Sequence, residues 1–113
     1  MNERAVTHAD NVYNIPNLNI KATACRTNLP SNTAFRGFGG PQGMMIMECI
    51  LARVASHLGL PHEDIREMNM YEEGDSTPYG MVLSNCNILR CWKELKDSSK
   101  FAERKLSVQK FNK

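Results

Sequence analysis

Near its middle the chain reads Thr33-Ala34-Phe35-Arg36-Gly37-Phe38-Gly39-Gly40-Pro41-Gln42-Gly43, eleven residues of which four are glycine. Glycine loses more conformational entropy on folding than any other residue, so this cluster indicates a tight turn or a close approach of the main chain to another group. Proline at position 41 suits the first turn of a helix, where its missing N–H is not needed. We therefore predict a glycine-rich loop that ends at a helix N-terminus and directs unpaired N–H groups toward whatever it faces.

The residues after the loop predict a helix from Gln42 to Leu58. Apolar side chains recur three or four positions apart, which is the period of one helix face. They are Met44, Met47, Ile50, Leu51, Val54, Ala55 and Leu58, and Met45, Ile46 and Cys49 widen the face. We therefore expect this helix to be deeply buried, and we expect it to end at Gly59.

The flanking sequence predicts an α+β chain. Residues 12–15 and 18–26 are typical of strands, since the second segment alternates apolar and polar residues. A shorter helix follows Pro61, residues 71–80 form a loop, and a last helical region begins near Asn87. The first ten residues are polar and are expected to be poorly ordered. The predicted fold is a short antiparallel β region followed by the glycine-rich loop and three to four helices, in one domain over residues 1–113.

Composition and charge exclude several classes of protein. The chain has 113 residues and a net charge of +2, which is too small to favour nucleic acid as a partner. No apolar run has the length of a membrane span, so we expect no membrane partner. Basic residues near the C-terminus are interleaved with acidic ones, as on an ordinary solvated helix face. The four cysteines match no zinc or iron–sulfur spacing, and we expect them to be reduced and buried.

The glycine pattern of the loop, taken by itself, leaves two interpretations open. It is not a Walker A loop, since no Gly-Lys-Ser/Thr follows, and its third glycine comes one position too late for a dinucleotide-binding fingerprint. The loop could hold an anionic or flat ligand, with Arg36 contacting an oxo group and Phe38 stacking on a planar ring. Alternatively, it is a structural turn that packs two elements together, with both phenylalanines in the core. Phe35 fits this second interpretation better.

A longer part of the chain resembles a known family. Residues 27–43, which begin Thr27-Asn28-Leu29-Pro30-Ser31-Asn32, form an unbroken run that is similar to the molybdenum-binding region of the xanthine dehydrogenase/aldehyde oxidase family. The resemblance continues in shorter runs, namely Asp10-Asn11-Val12-Tyr13-Asn14-Ile15-Pro16-Asn17, Gly59-Leu60-Pro61, Arg66, Asn69-Met70-Tyr71, Glu73-Gly74-Asp75, Cys91-Trp92 and Lys110-Phe111-Asn112. It covers nearly the whole chain in order, and it implies a segment of a molybdenum-pterin-binding domain.

This resemblance implies an oxidoreductase that hydroxylates purines, aldehydes or N-heterocycles with water as the oxygen source. Enzymes of the family are large and carry a molybdenum-pterin cofactor, FAD and [2Fe–2S] clusters. The chain resembles only part of the molybdenum domain, so we expect a partial molybdenum cofactor site, with FAD and the clusters bound elsewhere in the parent enzyme. The resemblance also implies the remainder of that domain as a partner, a homodimeric parent and a cytoplasmic location.

The same resemblance implies roles for the residues of the loop. Arg36 lies beside the molybdenum without being its direct side-chain ligand, and its main chain donates near the metal's oxygen ligands. Phe38 flanks the substrate. The residues implied to bring the main chain close to the cofactor are Phe35, Gly37, Gly39 and Gly40. The catalytic glutamate of the family belongs to a motif that this sequence lacks, so we assign no catalytic residue and expect the isolated chain to be inactive.

A second hypothesis comes from a different class of function. The chain could be a truncated, non-catalytic interaction module that associates with a full-length paralogue through the apolar face of the helix at residues 42–58. The size of the chain in solution would help to separate the two hypotheses, because a concentration-independent monomer argues against an exposed adhesive surface.

Overall fold

Residues 2–113, as a computed structural model describes them, form a mainly helical fold. The helices in this range are α1 (Asn2–Thr7), α2 (Gly40–Leu58), α3 (His62–Met68), α4 (Ile88–Ser98) and α5 (Phe101–Phe111). The same residues contain no strand and only two isolated antiparallel bridges. The prediction of an α+β fold with a short antiparallel β region was therefore wrong, although the glycine-rich loop and the helices after it are present.

The segment at residues 18–26 shows why the strand prediction failed. It has no regular secondary structure and is largely exposed, and within residues 2–113 it makes no backbone hydrogen bond to another segment. A strand needs a second strand to exchange backbone hydrogen bonds with, and sequence alternation cannot supply one. In the other predicted strand only Tyr13 forms a bridge, with Met70, beside a hydrogen bond from Tyr71 N to Val12 O at 2.9 Å.

The N-terminal residues are folded rather than poorly ordered, which corrects the prediction for residues 1–10 over the part that the structure describes. They form α1, which packs against the first turns of α2. The close approach depends on Gly43, because a Cβ atom there would lie 2.2 Å from the carbonyl oxygen of Ala5. The chain that follows α1 turns inward and buries Asp10, whose carboxylate accepts a hydrogen bond from Tyr71 Oη at 2.8 Å.

Helix α2 lies at the centre of the fold, and its bounds match the prediction closely. Its buried side, here called the inner ridge, consists of Gly43, Met47, Leu51 and Ala55. The core that these residues share is completed by Tyr13, Ile65 and Met70. The helix ends at Gly59, whose φ of 66° lies in the left-handed region, as expected for a glycine after a helix.

One side of α2 is not covered by any part of residues 2–113, so this chain alone does not bury the helix as deeply as expected. We call this side the outer ridge; it consists of Ile46, Ile50, Val54 and Leu58, which are 39–59% exposed. Because successive helical residues are about 100° apart, the outer ridge lies about 100° around the helix from the inner ridge. Helices α1 and α3 pack elsewhere on α2 and leave it open.

Polar side chains join α3 to the two C-terminal helices. The Glu67 carboxylate accepts hydrogen bonds from Trp92 Nε1 at 2.9 Å and from Lys96 Nζ at 2.8 Å. Glu63, one turn earlier, pairs with Lys105 of α5. Neither α4 nor α5 contains a fully buried residue, but partly buried apolar side chains of α4 pack against the core, so α4 is attached by apolar contact as well as by charge.

Two connections in the C-terminal half correct or support the sequence interpretation. The last helical region is divided, because Lys100 adopts a φ of 52° between α4 and α5. The loop predicted at residues 71–80 is present and continues into a short turn in which Thr77 N donates to Met81 O at 2.9 Å.

Surface exposure also corrects the prediction for the cysteines. All four are free, but Cys25, Cys49 and Cys91 are exposed and Cys86 is only half-buried.

No single helix within the described range is long and apolar enough to cross a membrane. Only α2 and α3 taken together reach that length and composition, and they are bent by 116° at the break between them.

Candidate functional site

The loop before α2 turns through three consecutive residues with positive φ. Gly37, Phe38 and Gly39 have φ values of 88°, 53° and 103°. Two short hydrogen bonds hold the turns, from Phe38 N to Phe35 O and from Gly40 N to Gly37 O, each 2.8 Å long. A phenylalanine in the left-handed region is uncommon, and these two hydrogen bonds, one donated by Phe38 N and one that spans Phe38, hold it there. The loop thus enters α2 through a fixed backbone path.

The large side chains of the loop are exposed. Phe35 and Phe38 are 78% and 56% exposed, so the interpretation that placed Phe35 in the core was wrong. Arg36 is also exposed and forms no ion pair with any residue in the described range. The three side chains are therefore available to a ligand or to another polypeptide.

The glycines of the loop differ in how far this chain alone explains them. A Cβ atom at Gly37 would lie 2.7 Å from the ring of Pro41, and one at Gly40 would lie 3.4 Å from the ring of His8. Gly39 and Gly40 are buried. The turn therefore explains Gly37 and Gly39 without a ligand, whereas a Cβ atom at Gly40 would make only an ordinary contact. Their predicted contact with a cofactor stays a prediction.

The main-chain donors of the loop suit an anionic oxygen ligand. The N–H groups of Arg36, Gly37 and Gly39 donate to no acceptor within residues 2–113. Together with the guanidinium of Arg36 and the positive end of the α2 dipole, they make this end of the molecule electropositive. Across the described residues, no group of three or more His, Cys, Asp or Glu side chains could hold a metal ion.

A second polar cluster, around Glu48 of α2, was not predicted from the sequence. Tyr13 Oη and Asn11 Nδ2 donate to Glu48 Oε1 at 2.5 Å and 3.0 Å, and Arg66 Nε donates to Oε2 at 2.7 Å. The one sequence signal was that Glu48 is the only carboxylate among the 19 residues of α2. The cluster ties α2 to α3 and to the turn after α1.

The Glu48 cluster has shifted pKa values with clear causes. Partial burial by itself would raise the pKa of Glu48, but the hydrogen bonds from Tyr13 and Arg66 and the Arg66 charge outweigh it and hold the pKa below its ordinary value. Burial and the bond to Glu48 raise the pKa of Tyr13, and the bond to Glu48 raises that of Arg66. Glu48 is therefore ionised near neutral pH with both oxygens engaged, which suits a structural role rather than proton transfer.

The Glu48 cluster also forms one end of a groove of about 650 Å³ beside α4. Its apolar wall is formed by Met70, Ile88, Trp92 and Leu95. The groove does not include the loop at residues 33–43, so the two features are separate.

Comparison with known proteins agrees with the family resemblance. Residues 1–70 match the family model described as the molybdopterin cofactor-binding domain. The chain is 51% identical over 111 residues to the xanthine dehydrogenase/oxidase of Gallus gallus and 54% identical over 110 residues to that of Mus musculus. It is 47% identical over 110 residues to the aldehyde oxidase of Homo sapiens. These alignments cover 97–98% of this chain but only 8% of the length of each relative.

Proposed function

This chain belongs to the molybdopterin cofactor-binding domain family, and from that premise we propose that it forms one wall of the molybdenum and substrate site of a larger molybdenum hydroxylase. The single observation that supports this most is the loop at residues 33–43. It carries unpaired main-chain donors and exposed Arg36 and Phe38 side chains at the end of a fixed backbone turn. Because the relatives are xanthine dehydrogenase/oxidases and aldehyde oxidases, the proposed substrates are purines, aldehydes or N-heterocycles.

The donor set of the loop fits a molybdenum-pterin cofactor. When bound, this group would supply a two-electron redox centre with negatively charged oxygen ligands. The N–H groups of Arg36 and Gly37 would donate toward such oxygens, and the Arg36 guanidinium would add positive charge, which stabilises anionic oxygen without rearrangement of the protein. Gly39 and Gly40 would fix the turn that carries these N–H groups. Phe35 would lie beside the cofactor.

Phe38 is proposed to orient the substrate. Its ring is more than half exposed, and its backbone is held in the left-handed region between two glycines. A ring in this position can stack on a planar heterocycle or cover an aldehyde carbon, because aromatic pairs gain about 0.5–1.5 kcal/mol beyond area burial. No carboxylate of this chain is assigned as the base for the hydroxylation.

The remaining partners follow from the length of the relatives. The other parts of the cofactor site, FAD, the [2Fe–2S] clusters and the homodimer contacts are proposed to lie in polypeptide outside this chain, in a cytoplasmic enzyme. The alternative, a non-catalytic module that associates with a full-length paralogue, is supported by the exposed outer ridge of α2. It differs in predicting a bound complex that contains a second, complete molybdenum domain.

A chimaera tests the proposed function. This chain replaces the matched segment of the Mus musculus xanthine dehydrogenase/oxidase, and the molybdenum content, the electron paramagnetic resonance signal of the molybdenum centre and xanthine hydroxylation are measured. Arg36→Ala is expected to change the signal and to lower kcat/KM about 10- to 100-fold, the usual effect of losing a group that supports a metal site. Arg104→Ala, an exposed arginine on α5, is the control and should change neither.

Two results would contradict the proposal. The first is an unmodified chimaera that folds but lacks molybdenum. The second is an Arg36→Ala chimaera with the signal and kcat/KM of the Arg104→Ala control. Phe38→Ala adds a separate readout, because loss of a stacking contact is expected to raise KM more than it lowers kcat.

A further inference from the structure

The outer ridge of α2 is continuous and lies on one row of the helix. Ile46, Ile50, Val54 and Leu58 are each four residues apart, so their side chains stack into a single ridge along the helix surface. All four are apolar and 39–59% exposed, whereas the adjacent inner ridge is buried. One helix thus has two neighbouring apolar ridges, of which this chain covers only one.

The charge pattern of α2 differs from that of a solvated helix. Its charged residues are Glu48 and Arg53, and Glu48 is engaged by three donors in the cluster with Tyr13. Only Arg53 is left to solubilise 19 residues, whereas roughly a quarter to a third of a protein surface is usually charged. This composition is typical of a helix enclosed on most sides.

We infer that the outer ridge is an internal interface of the parent enzyme, covered by an apolar, uncharged surface of the same polypeptide outside residues 1–113. The inference rests on the proposed function, because it takes this chain as part of a protein of the relatives' size. The relatives are about 50% identical along almost all of this chain, and 92% of their length lies outside the match. That length supplies ample polypeptide to cover the ridge.

An aspartate substitution at the ridge separates the covered state from the exposed one. In the isolated chain Ile50 is already 48% exposed, so Ile50→Asp is expected to change the melting temperature by no more than about 3 °C. In the Mus musculus chimaera the same carboxylate would be buried without a partner. There we expect Ile50→Asp to lower the melting temperature by at least about 5 °C or to prevent accumulation of the protein.

Ser56→Asp is the matched control, since it places the same charge on the same helix about 120° around from Ile50. A carboxylate in the last turn of a helix costs up to about 1 kcal/mol, and we expect Ser56→Asp to show this same small loss in the isolated chain and in the chimaera. Ile50→Ala is a milder variant that still gives a melting temperature if the aspartate variant does not accumulate, because it removes apolar contact without adding charge. Its melting temperature should fall in the chimaera and stay within about 3 °C in the isolated chain.

Several outcomes overturn the inference. One is that the Ile50→Asp and Ser56→Asp chimaeras have the same melting temperature. Another is an Ile50→Asp chimaera that keeps its melting temperature but loses self-association, followed by light scattering, which would assign the ridge to a second copy. A third is flotation of the chimaera with phosphatidylcholine–phosphatidylserine vesicles that Ile50→Asp prevents. A stable unmodified chimaera without molybdenum would instead refute the proposed function and leave the melting comparison intact.

Discussion

Replacing Gly43 by alanine should disrupt the packing of α1 on α2. A Cβ atom at this position would lie 2.2 Å from the carbonyl oxygen of Ala5 and 3.0 Å from its carbonyl carbon. Both atoms belong to the backbone of α1, so no side-chain rotation can relieve the contact. The helices would have to separate by about 1 Å, since carbon and oxygen approach only to about 3.3 Å.

The size of the effect follows from two opposing contributions. Overpacking a well-fitted contact lowers stability by about 1–3 kcal/mol, and a backbone obstacle places Gly43→Ala toward the upper end of that range. Replacing glycine by alanine inside a helix stabilises it by up to about 1 kcal/mol. Gly40→Ala is the control, because its Cβ atom would meet only the His8 ring, at 3.4 Å. We therefore expect Gly43→Ala to be less stable than Gly40→Ala by about 1–3 kcal/mol.

Thermal unfolding followed by circular dichroism measures the difference, and hydrogen exchange locates it. Gly43→Ala should melt at least about 4 °C below Gly40→Ala, as expected for 1 kcal/mol in a domain of this size. The amides at the end of α1, including His8 N, which donates to Arg4 O, should exchange faster in Gly43→Ala alone. Equal melting temperatures together with equal α1 protection would refute the packing role of Gly43.

Three further predictions concern carboxylates. Glu48→Gln should lower the free energy of unfolding by about 1–2 kcal/mol in urea, because hydrogen bonds to a charged acceptor are the stronger ones. Since the folded state lowers the pKa of Glu48, the contribution of Glu48 to the free energy of unfolding is present above the ordinary glutamate pKa and is lost as the pH falls through the lowered value. Glu48→Gln should therefore flatten the dependence of the unfolding free energy on pH below about pH 5. An unchanged dependence would argue against the cluster. The hydrogen bond from Lys96 and then that from Trp92 lower the pKa of Glu67. The fluorescence of Trp92, the single tryptophan, should therefore change at a pH below the ordinary glutamate pKa. A change at a pH above that value would contradict the attachment of α4 through Glu67. Glu73→Ala should destabilise the chain by about 1 kcal/mol, because this carboxylate accepts hydrogen bonds from two main-chain N–H groups just before α4, at 2.9 Å and 2.6 Å. A urea midpoint equal to that of the unmodified chain would count against this role.

Much of the helical half of the fold could be predicted from local sequence. The bounds of α2 were found to within two residues, because its apolar period, Pro41 and Gly59 all act within a few positions along the chain. The division at Lys100 was not found, since a lysine with positive φ has no clear sequence signature. The strands were wrongly predicted because alternation reports which side of a segment is apolar, but not whether a pairing partner exists.

The candidate site was predictable only in part. The order of loop and helix around Gly37 and Gly39 could be anticipated from glycine and proline chemistry, and the family resemblance was confirmed by the comparisons. The Glu48 cluster could not be anticipated from the sequence, because the hydrogen-bond partners of Glu48 are 18 to 37 residues away along the chain. The exposure of Phe35 could not either, since an aromatic residue has the same local pattern in a core and at an interface.

The sequence by itself determined the positions of the main helices, the turn that leads into α2 and the family to which the chain belongs, because these depend on short-range periodicity and on residue identity. Only the tertiary structure decided what each apolar or glycine position is for. It assigned Gly43 to the contact with α1, buried Met47 and Leu51 and left Ile46 and Ile50 exposed. The reason is physical: residues one position apart on a helix differ by about 100° in direction, so only the packing of distant segments decides which of them is covered.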